Sequence, residues 1–376
     1  MTVKNPITTP FEDGFIMPAE FEKQDAVWIV WAMNMETWYN GGYEARHAQV
    51  ELAEAITKAG THVNVIVPNR MFITAERVFS DMDVSIYEMT TEDCWVRDTG
   101  AIYVKNRATG EVRGVDFKFN GYGGEINGTT IRYADDDLMA RKMLQISGHE
   151  RYKTRFILEG GSINTDGEGT IITTESCLLN ANRNSTLNRA EIEGKLHDYL
   201  GCQKVIWLKE GIDTGEGETD GHVDDVCAFI APGEVVCCYT DDENDECYDI
   251  YKDCYETLCN STDAKGRKLK VHKLTVAAPC YLSEEEGENI TDIDAVGQAD
   301  DGTWRDEGEL AVGSYANFLV TNGSIIFPMY GVSTDDEAIQ RMKEIAGDRY
   351  IVRPVNVRSI ALGGGSIHCI TQQQPH

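Results

Sequence analysis

The stretch AQVELAEAITKAG, residues 48 to 60, spaces its apolar side chains three and four apart, and HVNVIVP, 62 to 68, follows it with a run of β-branched residues. The first spacing predicts a helix closed by Gly60, and the second a strand ended by Pro68. The same alternation returns along the chain. GEGTIITT (167 to 174) predicts a strand after a turn, EIEGKLHDYLG (191 to 201) a helix closed by Gly201, and KVIWLK (204 to 209) a strand. DDVCAFIAPGEVVCCYT (224 to 240) reads as two strands around a Pro-Gly turn, CYDIYKDCYETLC (247 to 259) as a helix and KVHKLTV (270 to 276) as a strand. YANFLVTNGSIIFPMYG (315 to 331) predicts a hairpin on Asn-Gly, followed by the helix DDEAIQRMKEIAG (335 to 347) and the strand YIVRPV (350 to 355).

A fourth unit fits less cleanly, with WVRDTGAIYVK and EVRGVDFKF (95 to 119) as paired strands, DDDLMARKMLQISG (135 to 148) as a helix and YKTRFIL (152 to 158) as a strand. The fifth is split between the termini, with SIALGGGSIHCITQQQ (359 to 374) beside DAVWIVWAM (25 to 33). One such unit cannot bury both of its faces, so five of them, one shared by the chain ends, predict a closed α/β ring. No break in composition divides it, and residues 1–376 are expected to form a single domain.

Polar residues recur at the start of these hairpins. Asp98 precedes AIYVK, Glu159 precedes SINTDG, His222 and Asp224 precede VCAFI, and Cys369 follows GGGSIH. Equivalent positions in a ring of similar units converge on its axis. The remaining unit offers GSYAN (313 to 317), which carries no charge and is expected only to line the pocket. Glycines accompany the others, at 100, 160, 161, 221 and 363 to 365, where the missing Cβ lets a flat ligand or another backbone come close.

Composition narrows the partners. The formal net charge of −29 disfavours nucleic acid and anionic membranes; it either draws in a small cation or serves solubility alone. No apolar run reaches membrane-spanning length, and the start MTVKNPITTPFEDGF lacks a secretory pattern, so a soluble cytoplasmic protein is expected. Eleven cysteines, none spaced as CxxC, argue against a zinc knuckle; Cys177, Cys202, Cys227, Cys237 and Cys280 read as buried free thiols. The acidic run DDENDE (241 to 246) lacks the spaced ligands of a calcium loop and reads as solvated loop.

One Cys, one His and three acids suit a planar cation. A guanidinium presents N–H donors in a fork that carboxylates accept pairwise, leaving its central carbon open to a thiolate, while an imidazole delivers the proton that releases ammonia. A metal site fits less well, because only one His sits in the constellation and Cys369 has no partner at ligand spacing. Acids near Cys369 oppose the thiolate, so a cationic substrate or a protonated His222 must compensate. In an extended chain His368 would face away from Cys369, and it is set aside as a catalytic partner. His222 and Asp224, two apart, would share one face of a strand. Arg97 reads as a clamp on a neighbouring carboxylate, and Trp95 as either core or a wall for a methylene chain.

The segments MPAEFEKQDAVWIVW (17 to 31), NGG (40 to 42), WVRDTG (95 to 100), ILEGGSINTDGEGT (157 to 170), LNANRNSTLNRAEIE (179 to 193), KVIWL (204 to 208), ETDGHVDD (218 to 225), TDAKGRKLKVHK (262 to 273) and GGGSIHCITQQQP (363 to 375) together resemble the agmatine deiminase family of the pentein superfamily. The resemblance implies a five-bladed, pseudo-symmetric α/β propeller. It also implies cofactor-free hydrolysis of agmatine to N-carbamoylputrescine and ammonia, in a homo-oligomer. Carried over by motif, Cys369 is the nucleophile, His222 the general acid and base, Asp98 and Asp224 the guanidinium clamps, and Glu159 the acid that orients substrate or His222. Trp95, Gly364, Glu218 and Asp220 are expected to bind the rest of the substrate, and the extra acids favour an amine at its far end. Ala101 stands where the family usually has proline, FNGYGG (119 to 124) where Asn-Ala-Trp-Gly-Gly is common, and Asp220 and Asp225 replace two asparagines. A deiminase of free or peptidyl arginine, and a non-enzymatic acidic propeller binding polyamines or calcium, are the alternatives.

Overall fold

The computed structural model describes residues 7–124, 126, 132–213, 219–288, 308, 310–311 and 313–376. Among these, five sheets repeat one design: a first strand antiparallel to a second, a helix, and a third strand parallel to the second. A parallel neighbour cannot be reached by a tight turn, so each helix is the crossover that the pairing requires. Two of the sheets combine Ile163–Thr165, Thr170–Thr174 and Lys204–Leu208 across the helix Arg189–Leu200, and Cys227–Ala231, Glu234–Cys238 and Lys270–Leu274 across Tyr248–Asn260. A third combines Leu319–Thr321, Ser324–Met329 and Ile351–Asn356 across Asp335–Ala346.

A fourth sheet holds Ile102–Asn106, Val112–Lys118 and Arg151–Ile157, with the helix Met139–Ser147 and an added edge strand Phe15–Ile16. The fifth is made from both ends of the chain. Gln372–Pro375 runs antiparallel to Gln24–Val30, which continues through the helix Tyr43–Lys58 to His62–Val67 and then to Val84–Glu88.

Local chemistry explains the boundaries. Asn322 and Gly323 both take positive φ, as a two-residue hairpin turn requires. Asn188 and Glu191 form a reciprocal capping box at the start of the helix Arg189–Leu200, and Gly201 ends it in the left-handed conformation. Apolar faces then join consecutive sheets. One core unites Val104 and Tyr152 with Ile171 and Leu196, a second Ile172 and Leu208 with Phe229 and Leu258, and a third Val236 and Leu274 with Phe327, Ile29 and Leu52.

Two sequence expectations change. Residues 95 to 101 do not extend the strand of the fourth sheet: Val96–Thr99 forms one helical turn, and the strand starts at Ile102. All four residues of that turn are buried, so no alternation of inside and outside exists to hold them extended. His222 and Asp224 likewise do not lie on a strand face, because Val223–Asp225 is a 3-10 turn in which the Val226 amide donates to the Val223 carbonyl. The acidic run 241 to 246 is a largely exposed loop ahead of the helix Tyr248–Asn260, as expected.

The C-terminal strand also supplies partners to buried donors. Gln374 accepts from the Trp28 indole at 3.0 Å and Gln373 from Arg97 at 2.7 Å. Ending the chain at Thr371 would orphan both, at about 1–3 kcal/mol each. A truncated chain is therefore expected to unfold at a clearly lower denaturant midpoint; a midpoint equal to that of the full chain would contradict this account.

Candidate active site

Each sheet places one chemically distinctive residue two to four positions ahead of its first strand: Asp98, Glu159, Asp224, Asn317 and Cys369. All are buried. Two of them, Asp98 and Asp224, meet His222 at Gly161. Its amide donates to Asp98 Oδ1 at 2.8 Å, and a Cβ there would lie 2.5 Å from His222 Nδ1 and 3.0 Å from both Asp224 Oδ2 and Asp98 Oδ1. Only a residue without a side chain fits among three charged groups at that range. His222 Nδ1 stands 3.8 Å from Asp98 Oδ1, and Asp224, Asp225 and Cys369 bring donor atoms within 4.8 Å of one another.

The terminal glycines serve close packing too. A Cβ on Gly365 would sit 2.6 Å from the Trp95 ring and 3.2 Å from Cys369 Cβ, and one on Gly363 would sit 2.4 Å from Trp38. The chain thus slides over two indoles, themselves 5.2 Å apart, to present Cys369. Gly364 differs from its neighbours: it has φ of +98° and nothing within 4 Å of its Cβ position.

Other expected residues are placed less directly. Asp220 gives its carboxylate to Arg183 Nη1 at 2.6 Å and to Asn182 Nδ2 at 2.8 Å, and Glu218 lies outside the described residues. Trp95 is half-buried against Trp38 and Gly365. Glu159 is held by Arg183 Nε at 2.6 Å with both side chains fully buried, and its second oxygen has no hydrogen-bond partner. Arg97 clamps Glu20 at 3.4 Å, as its acidic neighbourhood suggested, and also donates to the His368 carbonyl.

His368 does not lie in an extended segment. Residues 366 to 371 form a turn, with Thr371 N on the His368 carbonyl and Ile370 N on the Ser366 carbonyl, so alternation of faces does not apply. Its imidazole bridges Asp224 Oδ2 at 2.7 Å and Glu20 Oε2 at 2.8 Å. Tyr122, at φ of +59°, donates its hydroxyl to Asp98 Oδ2 at 3.0 Å. Asn317 touches the thiol itself, with Nδ2 at 3.1 Å from Cys369 Sγ. The position of Asn317 ahead of its strand was a readable signal, but its lack of charge concealed it. Cys177 is a buried thiol as expected, and it also faces His222 and Glu159, whose donor atoms lie within 4.8 Å of its own. Among the described residues, that trio and the Asp224, Asp225 and Cys369 trio are the buried sets whose spacing a divalent cation could bridge, although His368 and Asn317 already engage the two aspartates.

The electrostatics follow from burial and charge. Burial, then Asp224, Asp225 and Asp98, push the Cys369 thiol well above its usual value. Burial opposes protonation of His222, but Asp98, then the hydrogen bond and charge of Cys177, then Asp224 outweigh it and lift the imidazole well above the usual histidine range. Burial also raises Asp98, whereas for Asp224 the hydrogen bond and charge of His368 overcome burial and hold the carboxyl below its ordinary value. Burial and the nearby Asp224 push Asp225 well up. At neutral pH the arrangement favours a protonated imidazole, a neutral thiol and a charged Asp224, which is a receptacle for a cation.

Gly161→Ala is expected to drive the His222 ring away from Asp98, cost about 1–3 kcal/mol by overpacking, and lower the imidazole pKa. Thermal melts and an NMR titration of His222 check both effects; an unmoved His222 titration would refute the crowding argument.

The sequence profile of the Porphyromonas-type peptidyl-arginine deiminases matches residues 16–375. A Streptococcus mutans protein, provisionally named an agmatine deiminase, is 47% identical over 99% of this chain and 98% of its own length. The solved agmatine deiminase of Enterococcus faecalis, described as catalysing its reaction, superposes with a TM-score of 0.91 at 42% identity over 99% of each chain. A cysteine-to-serine variant of the C. jejuni agmatine deiminase with substrate bound superposes with a TM-score of 0.79 at 26% identity over 96% of each chain. The chain belongs to the Porphyromonas-type peptidyl-arginine deiminase family.

Proposed function

We propose that this chain hydrolyses the guanidinium group of agmatine to N-carbamoylputrescine and ammonia through a covalent amidino-cysteine intermediate on Cys369. The observation that carries this reading is the Cys369 sulfur gathered with the Asp224 and Asp225 carboxyls within 4.8 Å, beside Asp98, which the His222 imidazole faces at 3.8 Å. A thiol so placed is a poor nucleophile toward a neutral carbonyl, which brings no charge to offset the acids. A guanidinium supplies that charge on binding, and the thiol can release its proton to solvent as the cation arrives.

Asp98 and Asp224 accept the guanidinium N–H groups and expose the central carbon to the thiolate. Attack forms the C–S bond and a tetrahedral carbon; His222 gives its proton to one amino nitrogen, which leaves as ammonia. The imidazole, now neutral, takes a proton from water as the oxygen adds to the amidino-thioether. Collapse of that second adduct breaks the C–S bond and restores thiolate and imidazolium; the urea product sheds the last proton. Glu159, anchored by Arg183, orients His222 or the substrate.

Agmatine is preferred to arginine because the two arginines at the site, Arg97 and Arg183, are tied to Glu20 and to Glu159 and Asp220. A substrate carboxylate would meet acids instead. Trp95 walls the methylene chain, and binding of the ammonium end is assigned to Gly364 and Asp220, together with Glu218, which is outside the described residues. On the same reading the five sheets close into a five-bladed propeller forming a single domain, and the protein works as a homo-oligomer in the cytoplasm. The shared strand order and the cores between consecutive sheets support the ring.

Ammonia release from agmatine, arginine and a peptidyl arginine tests the substrate, with agmatine expected to be fastest; arginine turnover above that of agmatine would overturn the choice. Cys369→Ala is expected to lose at least about 10³-fold in activity while remaining folded. The thiol must be ionised and the imidazole protonated, and both pKa values are raised, so kcat/KM should peak above about pH 7. A pH–rate profile with its maximum below about pH 6 would contradict these roles. Cys369 should also be alkylated faster by a chloroacetamidine cation than by neutral iodoacetamide.

A further inference from the structure

Asn317 is fully buried between the hairpin strand Leu319–Thr321 and the Cys369 turn. The orientation of its carboxamide is determined by its neighbours. The carbonyl oxygen accepts from the His368 amide at 2.8 Å and the Cys369 amide at 3.2 Å, which no NH₂ group could do. The nitrogen therefore points the other way, where it has two N–H bonds and two acceptors: Cys369 Sγ at 3.1 Å and Asp225 Oδ1 at 3.0 Å. A protonated thiol can instead donate to the Asn317 carbonyl oxygen, 3.4 Å away. The same amide thus serves both states of the sulfur.

We propose that Asn317 is a positioning residue for the nucleophile, its Nδ2–H stabilising the Cys369 thiolate while Asp225 takes the second proton and holds the carboxamide aimed at sulfur. The proposal rests on Cys369 being the nucleophile. The groups facing the sulfur are Asp98, Asp224, Asp225, Tyr122 and Tyr330. Every one is an acid or a phenol, so the groups that favour ionisation are hydrogen-bond donors: the backbone at Ser366 and, as a side chain, the Asn317 N–H. Asp225 itself faces Asp224, Asp213 and His222. An asparagine at 225 could accept the same proton without adding a carboxyl beside the thiolate, so Asp225 sets the amide at an electrostatic cost.

The test exchanges the pair. Asn317→Asp combined with Asp225→Asn conserves the formal charge and a hydrogen bond between the two positions, but removes the donor on sulfur. The readout is the pH midpoint of iodoacetamide labelling of Cys369, followed by mass spectrometry, in protein whose melting curve shows it folded. A hydrogen bond to a charged group contributes about 1.5–3 kcal/mol, so the midpoint should rise by about one to two pH units, with kcat falling at least about tenfold and KM changing less. Asp225→Asn alone keeps the donor and should leave the midpoint unchanged or lower. An unchanged midpoint in the exchanged protein overturns the proposal, as does an equal rise in Asp225→Asn alone. Should the exchanged protein not fold, Asn317→Asp alone decides by the same midpoint, which must rise. Labelling does not depend on turnover: if Cys369→Ala retained activity, the nucleophile assignment would fail while the midpoint shift could still be observed.

Discussion

Buried negative charge is the constraint around which this molecule is arranged. Glu20, Asp98, Glu159, Asp224 and Asp225 all approach one small volume, and an isolated carboxylate there would be strongly unfavourable. Each is met by a buried partner. Arg183 takes Glu159, His368 bridges Glu20 and Asp224, His222 faces Asp98, and Asp225 has the neutral Asn317 amide. Removing one member of a fully buried pair such as Arg183 and Glu159 typically costs about 3–5 kcal/mol, so these contacts bind the sheets together as well as tuning the site.

That arrangement leaves a graded set of proton affinities. Asp224 is held charged by His368, Asp98 and Asp225 are pushed toward the neutral form, His222 is held protonated and the Cys369 thiol is reluctant to ionise. An uncharged ligand gains little from such a pocket. A guanidinium completes it, because its charge and its forked donors answer the acids at once. Selectivity and activation of the nucleophile then come from the same electrostatic deficit.

Close approach is the second requirement. Gly161 lets His222, Asp98 and Asp224 crowd one backbone, and Gly363 and Gly365 let the last turn ride on Trp38 and Trp95. The glycine run before Cys369 is a packing device. Its middle member, with nothing within 4 Å of its Cβ position, is the exception.

Most of the strands and helices were legible in the chain, because their apolar spacing and turn residues are local signals: the helix closed at Gly201, the hairpin on Asn322 and Gly323, and the pairing of the C-terminal strand with residues 24 to 30. Motif resemblance also singled out Asp98, Glu159, His222, Asp224 and Cys369, which the fold does gather. Side-chain direction was not legible wherever the backbone leaves a regular period. The face of His368 was inferred from an extended segment that instead turns, and the strand argument for His222 and Asp224 failed on a 3-10 turn. Asn317 carries no charge to mark it, and its importance comes from two acceptors contributed by chain segments 52 and 92 residues away. Periodicity and motif thus determined the elements and the reactive residue types, whereas only the packed structure decided who faces whom, since burial and hydrogen-bond direction are properties of neighbours distant in the chain.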